Sequence, residues 1–111
     1  MILYRRWDII LVPFPFTDLT STKKRPCVVI SPDAFNKSGD LIVGFITSNL
    51  QGPPRLGDCL VQDWQKAGLP LPSRFRMKFA TINFEIVLKR IGHLANGDQK
   101  SINHNIIGFF A

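Results

Sequence analysis

Short apolar runs, each closed by proline or by polar turn residues, are the feature of this sequence that most restricts its fold. Residues 9–12 form a β-branched, apolar run that ends at Pro13, and a second run over residues 26–30 is soon followed by Pro32. A third run covers residues 41–47. Because proline cannot donate a hydrogen bond and is excluded from central strands, these runs predict short, separate β-strands.

The rest of the chain predicts further strands and one closing helix. Additional strands are expected at residues 59–61, 74–79 and 86–94, and a single helical turn at residues 62–67. Gly44, inside the third run, predicts a β-bulge or a close approach of the backbone. Asn96 and Gln99 are spaced like a capping box and predict the start of the last helix. The apolar stripe of this helix, which we expect to pack on a sheet, consists of Ile102, Ile106, Ile107, Phe109 and Phe110.

Several short strands with one closing helix predict a mainly β fold, a small and strongly bent antiparallel barrel. The 111 residues fit one domain, which we expect to span residues 1–111. No apolar stretch approaches the ~18 residues of a membrane span, and the first residues are too short an apolar stretch for a signal peptide. We therefore expect a cytoplasmic protein.

Charge is the unusual part of the composition. Lys and Arg number 14 against 8 acidic residues, which gives a net charge of +6 and a pI near 9.8. A surface of this sign favours a polyanionic partner such as nucleic acid.

Neither the cysteines nor the histidines are spaced like metal ligands. Cys27 and Cys59 lie in apolar, strand-like contexts, so buried reduced thiols are the favoured interpretation and a disulfide is the alternative. His93 and His104 are the only histidines, and neither has a further ligand type nearby. We expect no metal and no other cofactor.

A register argument brings together two polar residues that are distant in the sequence. If the second and third strands pair antiparallel, residues whose numbers sum to about 72 face each other, which sets Arg25 opposite Thr47. Both would lie at the open end of this hairpin, beside the basic residues Lys23 and Lys24. The planar guanidinium of Arg25 suits bidentate binding of phosphate, and Thr47 could orient the phosphate or relay a proton. On spacing alone, a surface arginine beside a strand-end threonine is the commoner explanation.

A second basic feature is the alternation in residues 74–79. A period of two puts Arg74, Arg76 and Lys78 on one face, and Phe75, Met77 and Phe79 on the other, core-facing side. The basic face would bind nucleic acid, or it would simply keep an edge strand soluble. Four aromatic residues near loops could stack on unpaired bases, although each is individually more common in a core: Trp7, Phe14, Phe16 and Trp64.

These segments together are recognisable. The string DIILVPFPFTDLTSTKKRPCVVISPDAFN resembles the opening of the MazF/PemK/Kid toxin family, and FITSN resembles its second motif. The stretches LPSRFRMKFATI and LKRIGHL resemble the PemK-type branch, so the similarity covers nearly the whole chain.

The resemblance implies an SH3-like barrel with helical additions, a homodimer, and an endoribonuclease that needs no metal. In such toxins the neighbouring 2′-hydroxyl attacks the phosphate and leaves a 2′,3′-cyclic phosphate and a 5′-hydroxyl. By motif position Arg25 and Thr47 match the catalytic pair, Ser48 matches an RNA-contacting residue, and Arg76 matches a basic residue on the fifth strand.

Two departures from the family pattern stand out. Trp7 occupies the place where the family usually has glycine, so a bulky ring could obstruct the site. The Arg-x-Asp pattern of the Kid branch is absent because Lys78 stands two residues after Arg76, and no carboxylate base is carried over.

Three hypotheses follow. The leading one is a toxin that cleaves single-stranded RNA through Arg25 and Thr47, and that an antitoxin neutralises by covering the basic groove with an acidic tail. In this hypothesis the RNA-binding residues are Lys23, Lys24, Ser48, Arg74, Arg76 and Lys78. The alternatives are a non-catalytic protein that binds nucleic acid or poisons gyrase, and an inactive relative in which Trp7 blocks the groove.

Overall fold

The fold is a single antiparallel β-sheet, and the last element of the chain is a helix. The computed structural model describes residues 3–14 and 23–111. Its strands are β1 (Asp8–Pro13), β2 (Lys24–Val29), β3 (Asp40–Thr47), β4 (Cys59–Leu60), β5 (Arg74–Asn83) and β6 (Lys89–His93). The helices are α1 (Asp33–Asn36), α2 (Asn96–Phe110) and a 3-10 turn (Phe84–Ile86). The strand order is β4-β5-β3-β2-β1-β6, and the sheet curls into a half-barrel, which confirms the predicted mainly β fold class.

Both faces of the sheet are buried, which explains the unbroken apolar runs in the sequence. Along β1, Ile9 belongs to one core cluster, and its neighbour Ile10 belongs to the other. The first cluster includes Ile102 of α2, so the helix covers that face. The second cluster is completed by Tyr4 and by residues around the 3-10 turn. Cys27 is buried in this second cluster, and burial raises the pKa of its thiol to about 12.

The pairing between β2 and β3 stops before the first residues of β2, whereas the pairing between β1 and β2 continues along them, so the sheet is open between β2 and β3 at this end. Strand β2 pairs with β1 down to Lys24, but its pairing with β3 stops at Cys27 opposite Phe45. Pro26 stands at the break, where it has no N–H to extend the ladder. The ends of β2 and β3 are therefore free to border a cavity.

Both features predicted as alternatives for Gly44, a β-bulge and a close approach to the backbone, are present. The pairing between β3 and β5 shifts between Gly44 and Phe45, and the extra residues on β5 are Met77 and Lys78. A Cβ at position 44 would lie 2.5 Å from the Cζ atom of Phe75, a fully buried ring. The glycine thus allows the Phe75 ring to lie against the backbone of β3.

Several local predictions were wrong at the element ends. The capping box does not form, because Ala95 is the N-cap and the Gln99 side chain donates to the Leu94 carbonyl at 2.8 Å. The predicted strand at 86–94 starts as a 3-10 turn and is extended only over Lys89–His93. The predicted turn at residues 62–67 is present, since the Ala67 amide donates to the Asp63 carbonyl at 3.1 Å. The short helix α1 was not predicted.

The apolar stripe of α2 is only partly packed. Ile102 is fully buried and Ile106 is half-buried, whereas Ile107, Phe109 and Phe110 are 63%, 42% and 66% exposed. The helix therefore presents its C-terminal end as an apolar surface. Within residues 3–14 and 23–111, no helix is long and apolar enough to cross a membrane.

Candidate functional site

A cavity of about 270 Å³ lies at the open ends of β2 and β3, and it is called the site cavity below. Arg25 reaches it from β2 and Thr47 from the end of β3. The three residue pairs that join β2 to β3 have numbers that sum to 72, which confirms the predicted register. The described lining residues are Phe14, Arg25, Phe45, Ile46, Thr47, Asn49, Arg55, Arg76 and Lys78.

The site cavity is strongly cationic. Four of its lining residues carry a positive charge, and none of those the structure describes is acidic: the four are Arg25, Arg55, Arg76 and Lys78. Charges of one sign in a concave site focus the field and attract an anion. Guanidinium groups in particular match the geometry of phosphate oxygens.

Two aromatic rings support the cations on one wall. Phe14 and Phe45 pack edge to face with ring centres 5.5 Å apart. The Nζ atom of Lys78 lies 5.8 and 5.7 Å from the two ring centres, and the Arg25 guanidinium lies 5.9 Å from that of Phe14. Cation–π contacts of this kind orient the charged groups while leaving their N–H donors available to a ligand.

The Thr47 hydroxyl is oriented by the backbone that follows it. The amide of Asn49 donates to Thr47 Oγ1 at 3.1 Å, and the amide of Gln51 donates to Asn49 Oδ1 at 3.2 Å. These turns fix the start of the loop between β3 and β4. Because the Thr47 oxygen already accepts one hydrogen bond, its own O–H can donate to a phosphoryl oxygen.

Asp58 does not line the site cavity, but it binds two residues that do, Arg55 and Arg76. Its side chain is 2% exposed and accepts from Arg76 at 2.9 and 3.3 Å, from the Arg55 amide at 2.8 Å and from Arg74 at 3.4 Å. Burial alone would raise the pKa of this carboxyl, but the hydrogen bonds from Arg76, the Arg55 amide and Arg74 outweigh it and lower the pKa below its usual range. The carboxylate thus stays ionised and fixes Arg76 toward the site cavity.

The predicted basic face of β5 is only partly present. Arg76 and Lys78 line the site cavity, but Arg74 is 5% exposed and points into the protein, where it contacts Asp58 and the Gly52 carbonyl. The prediction of an exposed Arg74 is therefore wrong: the loop that carries Gly52 and Asp58 folds over Arg74 and covers it. Strand β5 is also not an edge strand, since it lies between β4 and β3.

The other predicted RNA-binding residues lie outside the site cavity. Lys23, Lys24 and Ser48 are exposed, and RNA contact remains a prediction for them. Of the four aromatic candidates, Phe14 lines the site cavity, while Trp7 and Trp64 pack against the first core cluster. Phe16 lies outside the described residues.

Trp7 does not block the site cavity. It lies at the end of β1 opposite to Phe14, with the Arg6 guanidinium 4.7 Å from its ring centre. Its φ of 75° is in the left-handed region, which favours glycine. The departure from the family glycine therefore affects a turn and not the cavity wall.

Sequence reasoning missed Arg55, Asn49, Phe45 and Asp58. The first two lie in the Gly- and Pro-containing loop between β3 and β4, where no periodicity indicates the direction of a side chain. Phe45 is part of an apolar run, and nothing in the sequence distinguishes it from its buried neighbours. The pairing of Asp58 with Arg74 and Arg76 depends on tertiary contacts.

The histidines lie away from the site cavity. His93 Nδ1 is 2.9 Å from Oδ1 of the buried Asp8, which links β6 to β1. His104 is exposed on α2 and borders a separate cavity beside Phe109. No group of three His, Cys, Asp or Glu residues in the described part of the chain could hold a metal ion. Cys27 and Cys59 are both free thiols, although Cys59 is only half-buried.

Comparison with known families identifies the class of protein. The profile of PemK-like, MazF-like toxins of type II toxin-antitoxin systems matches residues 5–110. The chain therefore belongs to this toxin family. A search of curated proteins finds no significant match.

Several solved structures have a similar fold. The MazE–MazF complex of Deinococcus radiodurans has a TM-score of 0.76 at 12% identity, covering 100% of this chain and 98% of that one. An endoribonuclease in complex with its cognate antitoxin from a mycobacterial species gives 0.73 at 14%, covering 97% and 93%. The Mycobacterium tuberculosis toxin MazF-mt6 gives 0.70 at 20%, covering 93% and 95%. At these identities the likeness concerns the fold.

Proposed function

We propose that this toxin is an endoribonuclease that cleaves single-stranded RNA without a metal ion. The observation that carries the proposal is the meeting of Arg25 and Thr47 in one cationic cavity. The names of the similar structures, which include endoribonucleases, support the same activity.

The chemistry is an internal transesterification. The 2′-oxygen next to the scissile phosphate bonds to phosphorus, the bond from phosphorus to the 5′-oxygen breaks, and the proton lost from the 2′-hydroxyl is balanced by one gained at the 5′-oxygen. Arg25 stabilises the negative charge that develops on the phosphoryl oxygens. Thr47 donates its hydroxyl hydrogen to one of these oxygens and so orients the phosphate. The products are a 2′,3′-cyclic phosphate and a 5′-hydroxyl.

The Phe14 and Phe45 rings, together with the neighbouring cations, suit a single strand better than a duplex. Unpaired bases can stack on aromatic rings, whereas bases in a duplex are already stacked on each other. The cationic lining attracts the backbone regardless of sequence.

We also propose a homodimer and a protein antitoxin as the macromolecular partners. The exposed apolar residues at the end of α2 suit a second copy of the chain, because an apolar patch of this kind marks an interaction surface. The antitoxin would place an acidic segment over the site cavity, whose lining includes four cationic side chains. Three of the similar structures are toxin-antitoxin complexes.

The test is cleavage of a long single-stranded RNA in the presence of EDTA, with the ends of the fragments identified chemically. We expect cyclic-phosphate and 5′-hydroxyl ends, a loss of about 100-fold or more in rate for Arg25→Ala, and a loss of about 10-fold or more for Thr47→Val. Lys100→Ala, which removes an exposed charge from α2, serves as the control.

Intact RNA after incubation with the wild type would overturn the proposal, as would equal cleavage by Arg25→Ala. If the protein stalls gyrase and leaves RNA intact, the alternative of a non-catalytic toxin that poisons gyrase is supported.

A further inference from the structure

Arg55 lies at the junction of three neighbouring cavities. It lines the site cavity, a cavity of about 340 Å³ beside Pro53 and Pro54, and one of about 350 Å³ beside Phe109. Arg76 is the other described residue that borders all three. A chain-like ligand in the site cavity that continues into either neighbouring cavity would therefore pass these two arginine residues.

The guanidinium groups of Arg55 and Arg76 differ in their hydrogen bonds within the protein. Arg76 is half-buried, and both its Nε and its Nη2 atoms donate to Asp58. Arg55 is exposed, and its guanidinium makes no hydrogen bond or ion pair with any residue that the structure describes. The donors of Arg55 are therefore available to a ligand.

The backbone of Arg55 is nevertheless fixed. Its amide donates to Asp58 Oδ2 at 2.8 Å, and the Asp58 amide donates back to the Arg55 carbonyl at 2.9 Å. Gly57, with φ of 86°, supplies the left-handed residue of this turn. Because the backbone is already fixed, only the side chain of Arg55 has to be ordered when its guanidinium binds an anion.

We propose that Arg55 binds the backbone phosphate next to the scissile one, on the side of the loop between β3 and β4. The inference rests on the proposed function, in which Arg25 and Thr47 hold the scissile phosphate. Arg55 shares their cavity but also borders the next one along the loop, so it reaches the following phosphate of the same strand. Its fork of donors allows two parallel hydrogen bonds to that phosphate.

The experiment measures binding of a short, mixed-sequence single-stranded DNA, which lacks the 2′-hydroxyl and cannot be cleaved by transesterification. Each phosphate contact contributes about 0.7 to the slope of log K against log salt for a single strand. We expect Arg55→Ala to reduce the magnitude of the slope by about 0.7 and to weaken binding by about 10-fold or more. Arg55→Lys, which keeps the charge, should retain the wild-type slope and lose part of the affinity.

The control is again Lys100→Ala, because Lys100 is exposed and lines none of the three cavities. An unchanged slope for Arg55→Ala, or an equal loss in the control, would overturn the inference, as would a wild type that does not bind the strand. The proposed function has a separate readout: a wild type that binds the DNA but leaves RNA intact disproves the ribonuclease activity, while the Arg55 phosphate contact is still tested by the slope.

Discussion

At the scale of single residues, the chain builds the same tight turn twice. In Arg5–Asp8 and in Arg55–Asp58, the first amide donates to the aspartate carboxylate, and the aspartate amide donates to the first carbonyl. The third residue has positive φ in both turns, Gly57 in one and Trp7 in the other. A left-handed conformation costs a residue with a Cβ about 1–2 kcal/mol, so the glycine is relaxed and the tryptophan is strained. Backbone hydrogen bonds to Val29 and from Leu94 hold Trp7 in place.

Asp58 carries the clearest prediction at this scale. We expect Asp58→Asn to lower the free energy of unfolding at pH 7 by about 3 kcal/mol, because it leaves the buried Arg74 without its ion pair. The pKa of Asp58 is lowered in the folded state, so its stabilisation is complete above about pH 5 and is lost as the pH falls through the folded pKa. Urea unfolding at several pH values between neutral and acid should show the gap between wild type and variant closing toward low pH.

Asp63→Asn is the matched control, because the Asp63 side chain is exposed and makes no ion pair with a described residue. We expect a change within about 0.5 kcal/mol for it. A gap between wild type and Asp58→Asn that stays constant with pH would contradict the role assigned to this carboxylate.

At the scale of elements, the bulge between β3 and β5 shapes the site. It aims Lys78 at the Phe14 and Phe45 rings, while Phe75 lies against Gly44. Gly44→Ala should destabilise the protein by about 1–3 kcal/mol, because a methyl group there overlaps a buried ring that has little room to move. Thermal or urea unfolding measures this change.

Gly108→Ala provides the same chemical change in a different setting. Nothing lies within 4 Å of a Cβ at Gly108, which is inside α2, so alanine there should stabilise by about 0.5–1 kcal/mol. Opposite signs for the two substitutions support the packing argument. Equal effects would mean that the Phe75 ring yields easily and does not fix the bulge.

At the scale of the whole molecule, the apolar end of α2 adjoins the basic site, because one cavity is lined by Arg55, Arg76 and Phe109 together. We expect the chain to dimerise through the apolar end, and Phe110→Asp to shift the dimer to monomer, because a charge would have to be buried in the interface. Sedimentation equilibrium over a range of concentrations measures the shift.

Ser101→Asp adds the same charge at an exposed position near the start of α2 and should leave the dimer intact. A wild type that stays monomeric at all concentrations would disprove the dimer. A Phe110→Asp variant that dimerises normally would move the interface to another surface.

Much of the fold follows from the sequence because continuous apolar runs and proline positions are local signals. The runs at residues 9–12, 26–30 and 41–47 all lie in strands apart from Ile30, and the β2–β3 register follows from the length of their connection. The same register predicted that Arg25 and Thr47 would meet. Predictions failed at element ends, where the Gln99 side chain donates to the Leu94 carbonyl and does not accept from the N-cap amide as a capping box requires.

The sequence by itself determined the strands, the positive charge and the placement of Arg25 and Thr47 at the same end of the β2–β3 hairpin, because positions along one hairpin are related by simple counting. Only the tertiary structure decided that Arg74 is buried, that Asp58 holds Arg76, and that Arg55 faces the site cavity. These three depend on how a loop without periodicity folds back on a bulged strand. Contacts of that kind are set by packing and hydrogen bonding between distant segments, which no local pattern encodes.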